Sequence, residues 1–373
     1  NFVVYTSDGA ILETVMPEMN AIEISGTGNG EVYDSRSPIN VTLSAQEKSG
    51  EGIQSGIQRI EYRLIVDGKE LTEEAVVIEN TAEIGQNEAF YGTFDLSQKY
   101  DVKDGNVVEI QATAYDYAGN QSNNTVSRTI RIDSAEPEIT DIALVQKEAP
   151  AGSVPGDVDD AAERIPYIND ENGAQISFKV TERNLKNAAA VLNYNNQDYT
   201  VNITKGADGS WTAKADAGEV LKNIGLTAET EGIETQFTLS LKDEGYYRVV
   251  SVSAEDILAS VSGETEGEKS HVSMANPEQD ISFVYDVTAP VLTRAYYQYA
   301  DGKQGDLKLE GSDEILYIGE NGEHPALVFE IEETNAWSDA QAAEFVKNVV
   351  SKVTNLDGTE AETEGVYTKC LGC

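Results

Sequence analysis

Residues 107–122 read VVEIQATAYDYAGNQS. Apolar and polar side chains alternate from Val108 through Ala114, and the run then ends on Asp116, just before Tyr-Ala-Gly-Asn. Period-two alternation closed by turn residues is the pattern of a half-buried β-strand. Side chains two apart share a face, so Asp116 lines up with Val108, Ile110, Ala112 and Ala114; if that face is inward, its carboxylate sits at the rim of a core. A carboxylate there needs partners. The backbone N–H groups of the Ala118-Gly119-Asn120 turn supply them most simply, with Gly119 free to take positive φ. The metal alternative is a structural calcium ion held by Asp116, Asn120 and nearby carbonyls, and a catalytic acid is the third reading.

The same alternation recurs in INVTLSAQE (39–47), AQISFKVTE (174–182) and YRVVSVSAED (247–256). Helical spacing is confined to SDAQAAEFVKNVVSKV (338–353), where Ser338 is a good N-cap. Many strands and one short helix predict an all-β chain of antiparallel sandwiches, with the helix in its C-terminal part. Internal repetition sets the domain count. IDSAEPEI (132–139) matches YDVTAPVL (285–292), and YINDENGAQISFKVTERN (167–184) returns as YIGENGEHPALVFEIEETN (317–335). ATAYDYAGNQS (112–122) aligns without gaps to VSAEDILASVS (252–262), which pairs Asp116 with Asp256. Taking Pro17, Pro137 and Pro290 as openings, the expected units are 17–134, 135–288 and a partial unit 289–373. Residues 1–16 are read as the end strand of a preceding unit, and the first residue being Asn suggests a piece of something longer.

The 373 residues carry 66 acidic and 26 basic side chains, a formal charge of −40. Phosphate binding needs clustered Lys and Arg, so nucleic acid is not an expected partner, and an anionic membrane surface is disfavoured for the same reason. No apolar run is long enough to span a bilayer. The acid runs GDVDDAAE (156–163) and EGSDE (310–314) read as solvated loops; Asp157 and Asp159 alternate as calcium ligands do, but neither the glycine nor the terminal glutamate of a helix-loop-helix calcium site follows. Cys370 and Cys373 are the only thiols, too few for zinc and outside a redox context, and no role is assigned to them. No nucleophile elbow, phosphate loop or metalloprotease motif is present, and the scattered acids define no glycosidase pair. An enzyme is therefore not expected, and no cofactor beyond the calcium alternative.

The order of these features is itself a pattern: a proline linker (DVTAP, 286–290), a strand ending in Glu, a Gly-x-Tyr step (DEGYY, 243–247), and Asp-x-x-Gly-Asn at 116–120. With SGIQRIEYRLIVDG at 55–68, it resembles the tandem immunoglobulin-like domains of large surface or secreted bacterial proteins, mainly Gram-positive ones. The resemblance implies an extracellular or cell-surface location and a monomeric segment acting as an acidic stalk or adhesive module. A host or matrix protein or a glycan is the implied partner. It also makes Tyr247 the candidate tyrosine corner, and Asp116, Gly119, Asn120 and Asp256 structural residues. The second copy departs from the pattern by keeping Asp256 but losing the Gly-Asn turn. The alternative function is an accessory carbohydrate-binding module, with Tyr297, Tyr299 and Trp211 as the aromatic contacts.

Overall fold

The structure, a computed structural model, describes residues 4–6, 9–11, 13–47, 53–81, 89–146, 166–216, 220–259, 271–306 and 326–332. The chain is all-β, built from antiparallel sheets that pair into sandwiches. The helical stretch 338–353, the repeat copy at 317–325, both acid runs and Cys370 and Cys373 lie outside the described residues. The helix that is described is the single turn Leu96–Lys99, capped by Asp95.

In the first unit Asn40–Gln46 pairs with Phe90–Asp95 on one side and with Glu18–Met19 and Glu23–Ser25 on the other. The facing sheet has Val107–Asp116 between Ile57–Val66 and Val126–Ile132, with Val76–Glu79 at one edge. Each inner face is a period-two row: Val41, Leu43 and Ala45 on one sheet, and Val108, Ile110, Ala112 and Ala114 on the other, all buried. The second unit repeats the plan. Ala174–Thr181 lies between Glu138–Leu144 and Glu234–Leu241, opposite a sheet in which Gly245–Asp256 joins Leu185–Tyr194 to Ser282–Tyr285. Both units close with the same parallel pairing, Val32–Tyr33 on Arg131–Ile132 and Tyr167–Ile168 on Val284–Tyr285. Their apolar cores are separate, one drawn from Met19 to Ile132 and the other from Leu144 to Tyr285. After Pro290, Val291–Gln298 pairs with Gln304–Asp306 and Ala326–Glu332. Near the start, Val4–Thr6 pairs with Gly9–Ile11.

The long strands 107–116 and 245–256 have the same irregular end. The register slips between Tyr115 and Asp116, and a slip against the partner strand also falls beside Asp256, between Leu185 and Asn187. The extra residue lies on the partner strand, Gln58 in the first unit and Lys186 in the second, so the pairing is distorted there while both aspartates stay on the buried face of their own strands.

Candidate functional site

Asp116 is 0% exposed, at the end of its buried row. Its Oδ1 accepts from the Asn120 backbone N–H at 2.7 Å and its Oδ2 from Asn120 Nδ2 at 2.8 Å. The turn closes with Gly119 N–H on the Asp116 carbonyl at 3.2 Å, and Gly119 stands at φ +86°. Asn120 therefore offers Asp116 its amide N–H. Two further acids stand beside Asp116: Glu13, Glu47 and Asp116 each bring a carboxylate oxygen within 4.8 Å of the others, all three buried. Glu13 accepts from Ser55 N–H at 2.9 Å, and Glu47 Oε2 from Gly56 N–H at 3.0 Å. Glu47 Oε1 is buried with no hydrogen-bond donor. Burial, then the Glu13 and Asp116 charges, pushes the Glu47 carboxyl up to about 7. Burial raises Asp116 as well.

The second unit carries the equivalent set, Asp133, Glu182 and Asp256. Glu47 and Glu182 each follow the strand that begins the core, and Asp116 and Asp256 each end the long central strand. Glu13 and Asp133 stand four residues before Pro17 and Pro137. Two donors differ. Gly56 and Asn184 are equivalent, since their carbonyls accept from Tyr117 N–H and Ile257 N–H, the residues after the two aspartates. Gly56 has no side chain, whereas Asn184 Nδ2 donates to Asp133 Oδ2 at 2.6 Å and its backbone N–H donates to Glu182 at 2.7 Å. The place of Asn120 is taken by His271. The Asp116 N–H bonds to the Asn120 carbonyl and the Asp256 N–H to the His271 carbonyl, while His271 Nδ1 lies 2.6 Å from Asp256 Oδ2.

This corrects the ungapped alignment, which sets Ser260 opposite Asn120. The turn is expanded, and the partner of Asp256 comes fifteen residues later instead of four. His271 is 0% exposed. Its Nε2 faces the first unit, 3.2 Å from Asp34 Oδ2, with Arg36 Nη2 2.8 Å away. Burial pulls the imidazole pKa down, but the hydrogen bonds to Asp256 and Asp34 more than offset this and raise it to about 9. Asp34 is held below the usual carboxylate range because the hydrogen bonds from His271 and Arg36 outweigh its burial. Burial pushes Glu182 up to about 7 and raises Asp133.

The remaining sequence candidates sit apart from these clusters. Tyr247 is fully buried, stacks on Phe283 at 5.1 Å and donates its hydroxyl to the Asp243 carbonyl at 2.6 Å. Trp211 packs edge-on against Phe237 at 5.0 Å, with Lys205 Nζ 5.3 Å from its ring centre. Tyr297 and Tyr299 contact each other edge to face at 5.7 Å. Among the described residues Trp211 makes no ring contact with that pair. A surface depression of about 380 Å³ is lined by Asn202, Thr204, Lys214, Ala215 and Asp216, none of them aromatic. The residues that sequence reading missed are Glu13, Asp133, Glu47, Glu182 and His271. A signal for four of them was present: an acid four residues before each opening proline, Asp286 before Pro290 included, and a Glu after each first core strand.

No family model matches the chain, and no curated protein sequence matches it. Solved structures similar to it include red sea bream transglutaminase, at 10% identity and a TM-score of 0.24, covering 72% of this chain and 31% of that one. A tetra-tandem repeat from the extending region of a large adhesion protein is 12% identical, with a TM-score of 0.27 and coverage of 85% and 67%. The native conformation of E. coli alpha-2-macroglobulin is 9% identical, with a TM-score of 0.24 and coverage of 87% and 22%. The chain thus spans about a third of the transglutaminase and less of the macroglobulin. Similarity this low assigns neither a family nor an activity.

Proposed function

We propose that the chain is a non-enzymatic segment of a bacterial cell-surface or secreted protein, its immunoglobulin-like units in series forming an acidic stalk or adhesive module. The observation that carries this reading is the joint between the units. Asp133 in the linker accepts from Asn184 of the second unit, and His271 of the second unit lies between its own Asp256 and Asp34 of the first. Buried polar contacts of this kind fix the angle between sandwiches that have independent cores. Such a joint suits spacing and load transmission. The buried carboxylates favour structure over turnover, because acids only 0–6% exposed give a sugar no access to them. The surplus of negative charge keeps neighbouring copies apart at high density.

Stretching single molecules of the whole chain tests this. A stalk gives two cooperative unfolding events, each in series with the other. At roughly 3.5 Å per residue they release about 40 and 50 nm for units 17–134 and 135–288. Featureless extension without discrete events would remove the reading. So would hydrolytic activity on polysaccharide that Glu182→Gln abolishes.

A further inference from the structure

Both units gather three buried carboxylates where the incoming segment meets the sandwich, but only one of the two clusters has a basic side chain of the protein in contact with it. At Asp133, Glu182 and Asp256 the imidazole of His271 is in contact with Asp256, and Asn184 Nδ2 reaches the linker acid. At Glu13, Glu47 and Asp116 the donors are the backbone N–H groups of Ser55, Gly56 and Asn120 and the Asn120 side-chain amide, all neutral. Glycine stands where the second unit has Asn184, and asparagine where it has His271. The deficit appears at one atom: Glu47 is 6% exposed and its Oε1 receives no hydrogen bond. Once Glu47 is ionised, a buried oxygen without a donor, next to two further carboxylates, is costly unless something positive lies against it.

We propose that Glu13, Glu47 and Asp116 bind a hard divalent cation of calcium size, with Glu47 Oε1 as the ligand atom the protein leaves for it. Calcium takes oxygen ligands at about 2.3–2.6 Å, so oxygens across the ion stand up to about 5 Å apart. The three carboxylate oxygens all lie within 4.8 Å of one another, inside the reach of one ion. Magnesium demands a stricter octahedron and keeps several of its waters, whereas calcium accepts an irregular cage of protein oxygens. The ion replaces in the first unit what His271 supplies in the second. It ties the segment before Pro17 to the strand ends at Glu47 and Asp116, and the proposal stands whether or not the chain serves as a stalk. The competing arrangement is a proton shared between Glu13 and Glu47.

The test uses the whole chain, stripped with chelator at pH 7.5 and titrated with calcium chloride or magnesium chloride. Calorimetry and thermal unfolding are followed for the wild type, Glu47→Gln and Glu13→Gln. Saturating calcium is expected to raise a wild-type melting transition by about 5 °C or more, as stabilisation by a bound ligand does. The calcium response should fall at least tenfold in apparent affinity in both variants. Metal-free Glu47→Gln, which loses a like charge and keeps its shape, should melt no lower than the metal-free wild type, showing that the loss of response is not unfolding. Amide exchange at Gly56 and Asn120 should slow on adding calcium. The proposal is overturned if neither cation shifts the wild-type transition, or if the calcium response survives in Glu47→Gln.

Discussion

His271 shows how one side chain takes over a role that a turn performs elsewhere. Its Nδ1 and the Nδ2 of an asparagine are each bonded to Cγ, so both atoms reach an aspartate oxygen from the same backbone position. The sequence therefore changes its Asp-x-x-Gly-Asn turn into a long excursion ending in histidine without losing the bond to Asp256. What changes is charge. A histidine whose folded-state pKa is about 9, above its ordinary 6.5, contributes stability that is complete below about pH 6.5 and is lost as pH rises through 9. Glu182, raised to about 7 from 4.5, has the same sign, its contribution being complete below pH 4.5 and lost through 7. The cluster at the joint, with Asp34, Arg36, Asp133 and Asp256 facing these two groups, should weaken steadily from pH 5 to pH 9.5. Urea unfolding of the second unit at pH 6, 7.5 and 9.5 measures this. His271→Asn should keep the Asp256 bond yet lose the slope between 6.5 and 9. His271→Ala, which leaves Asp34 to Arg36 and Asp256 to the Leu258 and Ala259 N–H groups but removes the imidazole between them, should cost about 3 kcal/mol at pH 6.

At the scale of elements, the central strand of each unit and the step into it are fixed by few positions. Gly245 stands at φ +150°, and a Cβ there would lie 2.7 Å from Tyr194 Cε2 and 2.9 Å from the Asn195 side chain. Gly119 stands at φ +86° with nothing within 4 Å of a Cβ. Gly119→Ala should therefore cost only its backbone strain, about 1 kcal/mol, whereas Gly245→Ala adds a clash with a packed ring and should cost at least twice as much in chemical denaturation. Tyr247→Phe, which removes one hydrogen bond and keeps the stacking on Phe283, should cost about 1 kcal/mol. Strand alternation was legible from the sequence because the period of two in VEIQATAYD leaves Asp116 no face but the inner one. The partners of Asp116 were legible only in part. Local turn chemistry points to Asn120, but Glu13 and Glu47 arrive from separate segments, and no local pattern brings them to one place. His271 was hidden for a further reason: an insertion of variable length preserves three-dimensional equivalence and destroys alignment, and a lone histidine among Glu and Ser looks like a loop residue until the strand beyond it pairs.

For the molecule as a whole, the question is whether a charge of −40 stretches a loose string of units or is carried by a stiff one. Self-repulsion between exposed acids is screened within about 10 Å at 0.1 M salt and more strongly above it. Contacts at the joint are withdrawn from solvent and largely escape that screening: His271 against Asp256 and Asp34, and Asn184 against Asp133. A flexible polyanion shortens as salt is added, because the force holding its parts apart is removed; a rod fixed by buried bonds does not. Small-angle scattering of the whole chain at pH 6.5 should accordingly show the distance distribution between the first two units unchanged from 0.05 to 0.5 M sodium chloride. Asn184→Ala combined with Arg36→Ala removes a donor from the linker acid and the guanidinium that grips Asp34 at 2.9 Å, while leaving both apolar cores intact. That double variant should contract with salt and melt each core within a few degrees of the wild type. A salt-dependent contraction of equal size in the wild type would mean that the joint is loose, and that repulsion alone, not buried bonding, sets the spacing of the units.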